Sequence, residues 1–478
     1  MFSYNIAYKK KVYFLKKSKV KFEFSVKRKS ELDTLSHEEL IEYTKSLTDN
    51  WQELKDKQKP KKDSTNSSIP PSTEIGTPKR NQSMRSKSDK KSGGQSGHVG
   101  KTLKQSDTPD EVISIAYNID SCKQCGFNLS SVIAKLKEKR QILDLDLKET
   151  LSKITEYQSY SKVCPQCGCD NHDNTYPKFV APYISYGKNI MAIVTYLSVV
   201  HYLSYNRIVS ALATLYKINI SEGSVDSLLK RASKLSQNEL QVIMNQLEIS
   251  DKVGIDETGA KVNGSRHWHW VFQNDSCTYI VANKSRGTQV IDDNFTDGFV
   301  NAVIVHDNYS SYSSLIASEE QLCLAHKLRD LNYAITCDET QVMKDMKLLL
   351  QEAMLDHKED LLLTQRMVLK EQYLIMFDML LGIDAIPKSE TQKQINSFKK
   401  ARDKIFTFLL YPNVPPDNNA SERAIRNIKV KMKVSGQFKS LQGAKDYATL
   451  RSIVDTARKR EMNEFETIRN IVSGNSVF

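Results

Sequence analysis

The sequence predicts an α/β body over residues 251–478, preceded by a zinc-binding domain, helical segments and a basic N-terminal arm. Three observations carry this. At Lys252 the apolar period changes from 3.6 to 2. Paired cysteines stand upstream of that change. The net charge of +12 is confined to one end: residues 1–105 hold 24 basic and 12 acidic side chains, so the remaining residues hold 45 of each.

That partition argues against a uniformly nucleic-acid-coated protein and for a basic arm on a balanced body. With 39% hydrophobic and 8% aromatic residues the chain can build a core. A membrane span is not expected. The best apolar run, Ile190 to Val200, is interrupted by Thr195 and Ser198 and stops at His201, short of the ~20 residues a span needs. The first thirty residues carry ten Lys or Arg and no apolar h-region, which is no secretory signal. Eight cysteines, five of them between 122 and 169, suggest a reducing compartment and a local metal site.

Taken in order, residues 1–35 read as a basic extension. Ser36-x-x-Glu39 is a capping box that starts a helix over 36–59, where Leu40, Leu47 and Leu54 recur at heptad spacing. A modest dimer contact and a plain amphipathic helix fit that spacing equally. Residues 60–105 are rich in Lys, Ser, Pro, Gly and Asn and poor in aliphatics, a flexible linker whose cations suit DNA phosphates. Residues 106–178 hold the cysteine pairs. Residues 179–250 read as helices broken by a turn at Ile218–Gly223, compatible with a DNA-binding helix-turn-helix but explained better by plain helical packing.

In the α/β body, Val253–Ile255 starts a strand, and Ala260–Val262 meets an Asn263-Gly264 hairpin turn. His267–Phe272 returns, Cys277–Ala282 forms a third strand, and Arg286–Phe295 looks helical. Val300–His306 is a buried-strand pattern. From about 321 to 409 the pattern is helical, and Asn418–Lys433 is a further helix. Three antiparallel strands, a helix, another strand and later helices give the element order of a ribonuclease H-like sheet with a helical insertion.

Two constellations carry chemistry. Cys122-x2-Cys125 and Cys164-x2-Cys167, with Gly126 and Gly168 following, form two knuckles able to complete a tetrahedral Zn²⁺ site; a redox dithiol would need only one pair. Cys169 is a possible substitute ligand. The second is a set of acids at element ends: Asp256, Asp307 and Glu422. Phosphodiester chemistry with two divalent ions needs such hard oxygen ligands. Asp251, Asp292 and Asp293 compete for these roles on spacing. Arg426 and Lys429 follow Glu422 at i+4 and i+7 on one helix face, and Lys431 and Lys433 extend the basic run. Cys323-x-x-His326 is half a metal site, and a packed cysteine with a structural histidine explains it better. No glycine-rich nucleotide loop and no Gly-x-Ser-x-Gly elbow occur.

These residues also resemble a family. Asn66–Ser72, Gly93-Gly94-Gln95-Ser96-Gly97-His98, the doubled Cys-x-x-Cys around Arg140–Asp144, and Asp256-Glu257-Thr258-Gly259 with Arg286-Gly287 are similar to stretches of the insertion-sequence 66 transposases. So are His306-Asp307-Asn308-Tyr309, Cys323-Leu324-Ala325-His326-x-x-Arg329 and Asn418-Asn419-x-x-Glu422-Arg423-x-x-Arg426. The resemblance runs from about Ser36 to the C-terminus. It departs at Leu324, where the family has an aromatic, and over the first 35 residues.

The resemblance implies a bacterial, cytoplasmic, nucleoid-associated DDE enzyme with a ribonuclease H-like core. Asp256, Asp307 and Glu422 would bind Mg²⁺ or Mn²⁺, Lys429 would be the basic partner, and Arg423, Arg426, Lys431 and Lys433 would contact DNA. It implies nicking at the element's terminal inverted repeats followed by strand transfer to target DNA. A homo-oligomer and accessory proteins of the same element are its implied partners. Two other readings fit the same residues: a catalytically silent, zinc-dependent DNA-binding protein, and a nuclease-fold scaffold whose arm binds RNA.

Overall fold

The computed structural model of the chain describes residues 12–13, 22–23, 34–58, 161–163, 170–172, 186–312 and 315–478. Cys122, Cys125, Cys164 and Cys167, expected to bind zinc, and the linker lie outside them. The chain divides into two compact units. To the second belong residues 211–219 and an antiparallel pair, Ser161–Val163 with Asp170–His172. Apart from residues 211–219, everything described below belongs to the first.

Helix α1 (His37–Gln58) starts where the capping box lies: the Ser36 N–H donates to Glu39 Oε2 at 2.8 Å, and the Glu39 N–H donates back to Ser36 Oγ at 3.3 Å. After α2 (Lys188–Val199) the chain forms α3 (Tyr205–Tyr216, which runs into the second unit), α4 (Glu222–Leu235) and α5 (Gln237–Glu248). Ser221 caps α4 by accepting the Ser224 N–H at 3.0 Å.

A five-stranded sheet follows. Its strands are β1 (Lys252–Val262), β2 (Ser265–Gln273), β3 (Thr278–Asn283), β4 (Phe299–His306) and β5 (Ala317–Leu322), in the spatial order β3-β2-β1-β4-β5. β1, β2 and β3 are antiparallel neighbours; β4 and β5 join parallel. The Asn263-Gly264 turn has φ of 44° and 79°, the paired positive values a two-residue hairpin needs. The sequence expectation of a helix over Arg286–Phe295 is met only by one turn, α6 (Gln289–Asp292). β5 falls where no strand was expected, because Ser318-Glu319-Glu320-Gln321 has no strand-like apolar pattern.

Between β5 and the third acid stand α7 (Leu324–Asp338), α8 (Gln341–Asp356), α9 (Leu363–Leu381) and α10 (Glu390–Ala401). They pack around Phe377, Phe398, Phe406 and Phe408 on one side of Val303 and Val305 of β4. The other sheet face buries Ile255, Trp270, Phe272, Phe295, Phe299 and Ile304, with Leu240, Ile243 and Leu247 of α5 packed on them. Last come α11 (Asn419–Ser435), α12 (Leu441–Lys459) and α13 (Glu464–Val472). No helix among the described residues is long and apolar enough to cross a membrane.

Candidate active site

Pairing dictates where the acids fall. β1 runs parallel to β4 with Gly254 opposite Val305, so Asp256 on β1 and Asp307, immediately after β4, come to the same edge of adjacent strands. Side chains alternate along a strand, so Asp256 and Glu257 point to opposite faces.

On the Asp256 face the start of α11 approaches very closely. Gly254, two residues before Asp256, makes this possible: a Cβ there would stand 2.5 Å from Gln273 Nε2, 2.7 Å from Ser421 Oγ and 2.9 Å from Asn418 Oδ1. Buried Asn418 donates its side-chain amide to the Ile255 carbonyl at 2.6 Å, and Ser421 Oγ donates to Asn418 Oδ1 at 2.6 Å. One turn further along that helix is Glu422.

The electrostatics follow from this packing. Burial pushes the Asp256 carboxyl well above the ordinary range. The neighbouring Asp307 and Glu257 carboxylates raise it further, against the opposing pull of His326 and of the Glu257 N–H that donates to Asp256 Oδ1 at 2.8 Å. Glu422 is mostly buried, and its Oε1 accepts no hydrogen bond within the described residues. The basic side chains beside it are Arg329, with Nη1 at 3.7 Å, and His326, with Nε2 at 3.8 Å, while Arg426 lies 3.8 Å from Oε2.

Among the described residues, no three His, Cys, Asp or Glu side chains are gathered tightly enough to ligate one ion as they lie. The donor set nevertheless suits a hard divalent cation: a repelled pair of carboxylates and a buried carboxylate oxygen without a hydrogen bond are both relieved by positive charge. The competing acids are placed otherwise. Asp251 accepts from Asn413, and Asp292 and Asp293 lie exposed at the end of α6.

The opposite face carries a cluster that sequence reasoning missed. The Glu257 carboxylate is buried; its Oε1 accepts both Arg286 Nε at 2.9 Å and Nη2 at 2.5 Å, and Tyr312 donates its hydroxyl to Oε2. Burial and Asp307 raise the Glu257 pKa, and its donors partly offset them. The Arg286 guanidinium lies 3.7 Å from the Tyr309 ring centre and 4.5 Å from that of Trp268. The available signal was two consecutive acids within one strand, which alternation must separate.

The basic residues divide. Arg423, Arg426 and Lys433 are exposed on α11. Lys429 is half-buried and donates to the Gly259 carbonyl on β1 at 2.9 Å. Lys431 corrects the expectation that it contacts DNA. It is only 6% exposed, and its Nζ donates to Ser198 O at 3.3 Å, Ser198 Oγ at 3.4 Å and Leu203 O at 3.3 Å, tying α11 to the end of α2. A period-3.6 helix with basic residues at 429, 431 and 433 must turn one of them inward.

Cys323 is buried and accepts the Asn418 N–H at 3.2 Å, and burial pushes its thiol up to about 12. His326 Nδ1 lies 3.2 Å from that sulfur. The pair therefore braces the start of α11 and brings an imidazole to Glu422.

The sheet order, with Asp256 on β1 just past its pairing with β4 and Asp307 just past β4, fits a ribonuclease H-like core; Asp256 lies inside β1 rather than closing a strand as expected, because the hairpin pairing with β2 carries β1 on to Val262. The chain matches the model of the Transposase IS66 family over residues 184–446 and belongs to that family. Its function is accordingly transposase-related. No match was found among curated proteins.

Proposed function

We propose that this chain is a DNA transposase that binds the terminal inverted repeats of its element, cleaves there, and joins the freed ends to target DNA. The observation that carries the reading is the docking of Asn418 on Ile255, which couples the strand of Asp256 to the helix of Glu422. The family match spans Asp256, Asp307, Glu422 and Lys429 together.

In this reading Asp256, Asp307 and Glu422 hold divalent ions, Mg²⁺ or Mn²⁺. When bound, such ions activate the attacking oxygen and stabilise the leaving one. The chain's own residues do the rest. Asp256 and Asp307 concentrate negative charge at one sheet edge. Arg329 and His326 keep the Glu422 carboxylate oriented. Lys429, anchored on β1, and the exposed Arg423, Arg426 and Lys433 suit backbone phosphates. Cys122, Cys125, Cys164 and Cys167 hold Zn²⁺ in a domain that, with the basic linker and the helices over 179–250, recognises the ends. Assembly is homo-oligomeric, with accessory proteins of the same element.

The test is Mg²⁺-dependent cleavage of a duplex carrying the element's terminal repeat. Asp256→Ala, Asp307→Ala and Glu422→Ala each abolish cleavage and leave end binding intact. Cleavage retained in any one of them removes that residue from the role. A wild-type chain that binds ends but never cleaves them would favour the catalytically silent, zinc-dependent DNA-binding protein instead.

A further inference from the structure

Beyond the acids, the β1–β2 hairpin projects past the end of β4 and carries a cavity of about 320 Å³ lined by Gly259, Ala260, Lys261, Gly264, Arg266 and Lys429. Three of these six residues are cationic. Among the described residues, none of the three pairs with a carboxylate, whereas Arg286 nearby is neutralised by Glu257.

We propose that this cavity, between Arg266 and Lys429, is a subsite for a backbone phosphate of bound DNA that flanks the scissile position. The inference rests on the transposase reading above and assigns a place for substrate outside the acidic cluster.

Several features pre-build the subsite. Arg266 stacks on the Trp268 ring at 4.5 Å, which fixes its guanidinium without consuming its charge. The absence of a side chain at Gly259 lets that guanidinium lie over β1: a Cβ there would meet Arg266 Nε at 3.1 Å and Nη2 at 3.4 Å. Lys429 spends one donor on the Gly259 carbonyl, and its other ammonium hydrogens have no partner among the described residues. Burial and the nearby Arg266 lower its pKa, as expected where cations are held together with no anion between them.

The hairpin tip is also held rigidly. Gly264 N–H donates to Gln437 Oε1 at 2.9 Å, Asn263 N–H to Phe438 O at 2.9 Å, and Phe438 N–H to Lys261 O at 2.9 Å. Such preorganisation lowers the ordering cost of binding. Gly259 lies three residues beyond Asp256 on one strand, about 10 Å at a strand's rise. That rise, with the side chains of positions 256 and 259 on opposite faces, sets the cavity apart from the acids.

The test uses the full chain and a fluorescent element-end duplex, with anisotropy read over a series of salt concentrations. Arg266→Ala should weaken binding about tenfold and reduce the slope of log K against log salt by about 0.9. Arg266→Lys, keeping the charge, should retain the slope. A scan of single neutral methylphosphonate linkages should find one position flanking the nick that costs the wild type about tenfold and costs Arg266→Ala nothing further. Additive losses at every position, or an unchanged slope in Arg266→Ala, overturn the subsite while leaving the transposase reading intact.

Titration of tryptophan fluorescence with inorganic pyrophosphate separates the two failures. A response in the wild type that Arg266→Ala abolishes supports the anion site. The same response in a chain that binds no DNA keeps an anion site but overturns DNA as its occupant, and takes the transposase reading with it.

Discussion

Asn418 donates its side-chain amide to the Ile255 carbonyl at 2.6 Å, one residue before Asp256. This hydrogen bond joins a helix and a strand 163 residues apart in sequence. Through it, the position of Glu422 is set by the backbone that presents Asp256. Gly254 is the condition for this contact, since any side chain there would occupy the space of Asn418 and Ser421.

Gly254→Ala should therefore push α11 off β1. The expected cost is about 1–3 kcal/mol of stability, as for other overpacked positions, with a loss of strand cleavage that exceeds the loss of DNA affinity. Urea unfolding and a nicking assay on the same preparation check both parts. A variant as stable and as active as the wild type would show that this approach does not align the acids.

Asp256 gives a prediction about pH and metal. A carboxyl whose pKa is raised in the folded state contributes stability that is fully present below the ordinary aspartate value of ~3.9 and is lost as pH rises through the raised value. Above that window the ionised group destabilises the metal-free chain. Asp256→Asn should then melt higher than the wild type without metal, by on the order of 2–4 °C for each kcal/mol recovered. Millimolar Mg²⁺ should raise the wild-type melting temperature and leave the variant's nearly unchanged. Equal responses to Mg²⁺ would mean that Asp256 is no ligand.

Lys431 titrates in the other direction. Burial lowers its amine to about 8, so the native state binds fewer protons than the unfolded chain between about 8 and the ordinary ~10.4. Stability should rise with pH across that window, at a slope approaching about 1.4 kcal/mol per pH unit. Lys431→Met removes the titrating group, so denaturation of the two chains side by side isolates its contribution. DNA affinity should barely change in this variant, because the ammonium faces Ser198 and Leu203. A large loss of affinity with parallel pH profiles would restore Lys431 to the DNA-contacting set.

What could be read from the sequence was local. Asn263-Gly264 announces its hairpin because only residues tolerant of positive φ can occupy both turn positions. Ser36 and Glu39 announce a helix start because their side chains reach each other's backbone across three residues. β5 could not be read this way. Its polar residues become a strand through pairing with β4, and Gln321 is satisfied from afar: its Nε2 donates to Ile405 O at 3.0 Å and its Oε1 accepts the Phe408 N–H at 2.8 Å. The short α6 has a related cause, since Phe295 and Phe299 leave the helical path to enter the core beneath Phe272.

Most of the element order, the stretches that carry the three acids, and the family these imply were legible in the sequence, because periodicity, turn chemistry and motif spacing are properties of neighbouring residues. Only the tertiary structure decided which charges matter to one another. It coupled Asp256 to Asp307, paired Glu257 with Arg286 and Tyr312, brought His326 to Glu422, and turned Lys431 inward while leaving Arg266 and Lys429 around an open cavity. Burial and distance set these outcomes, and both arise only when segments remote along the chain pack together.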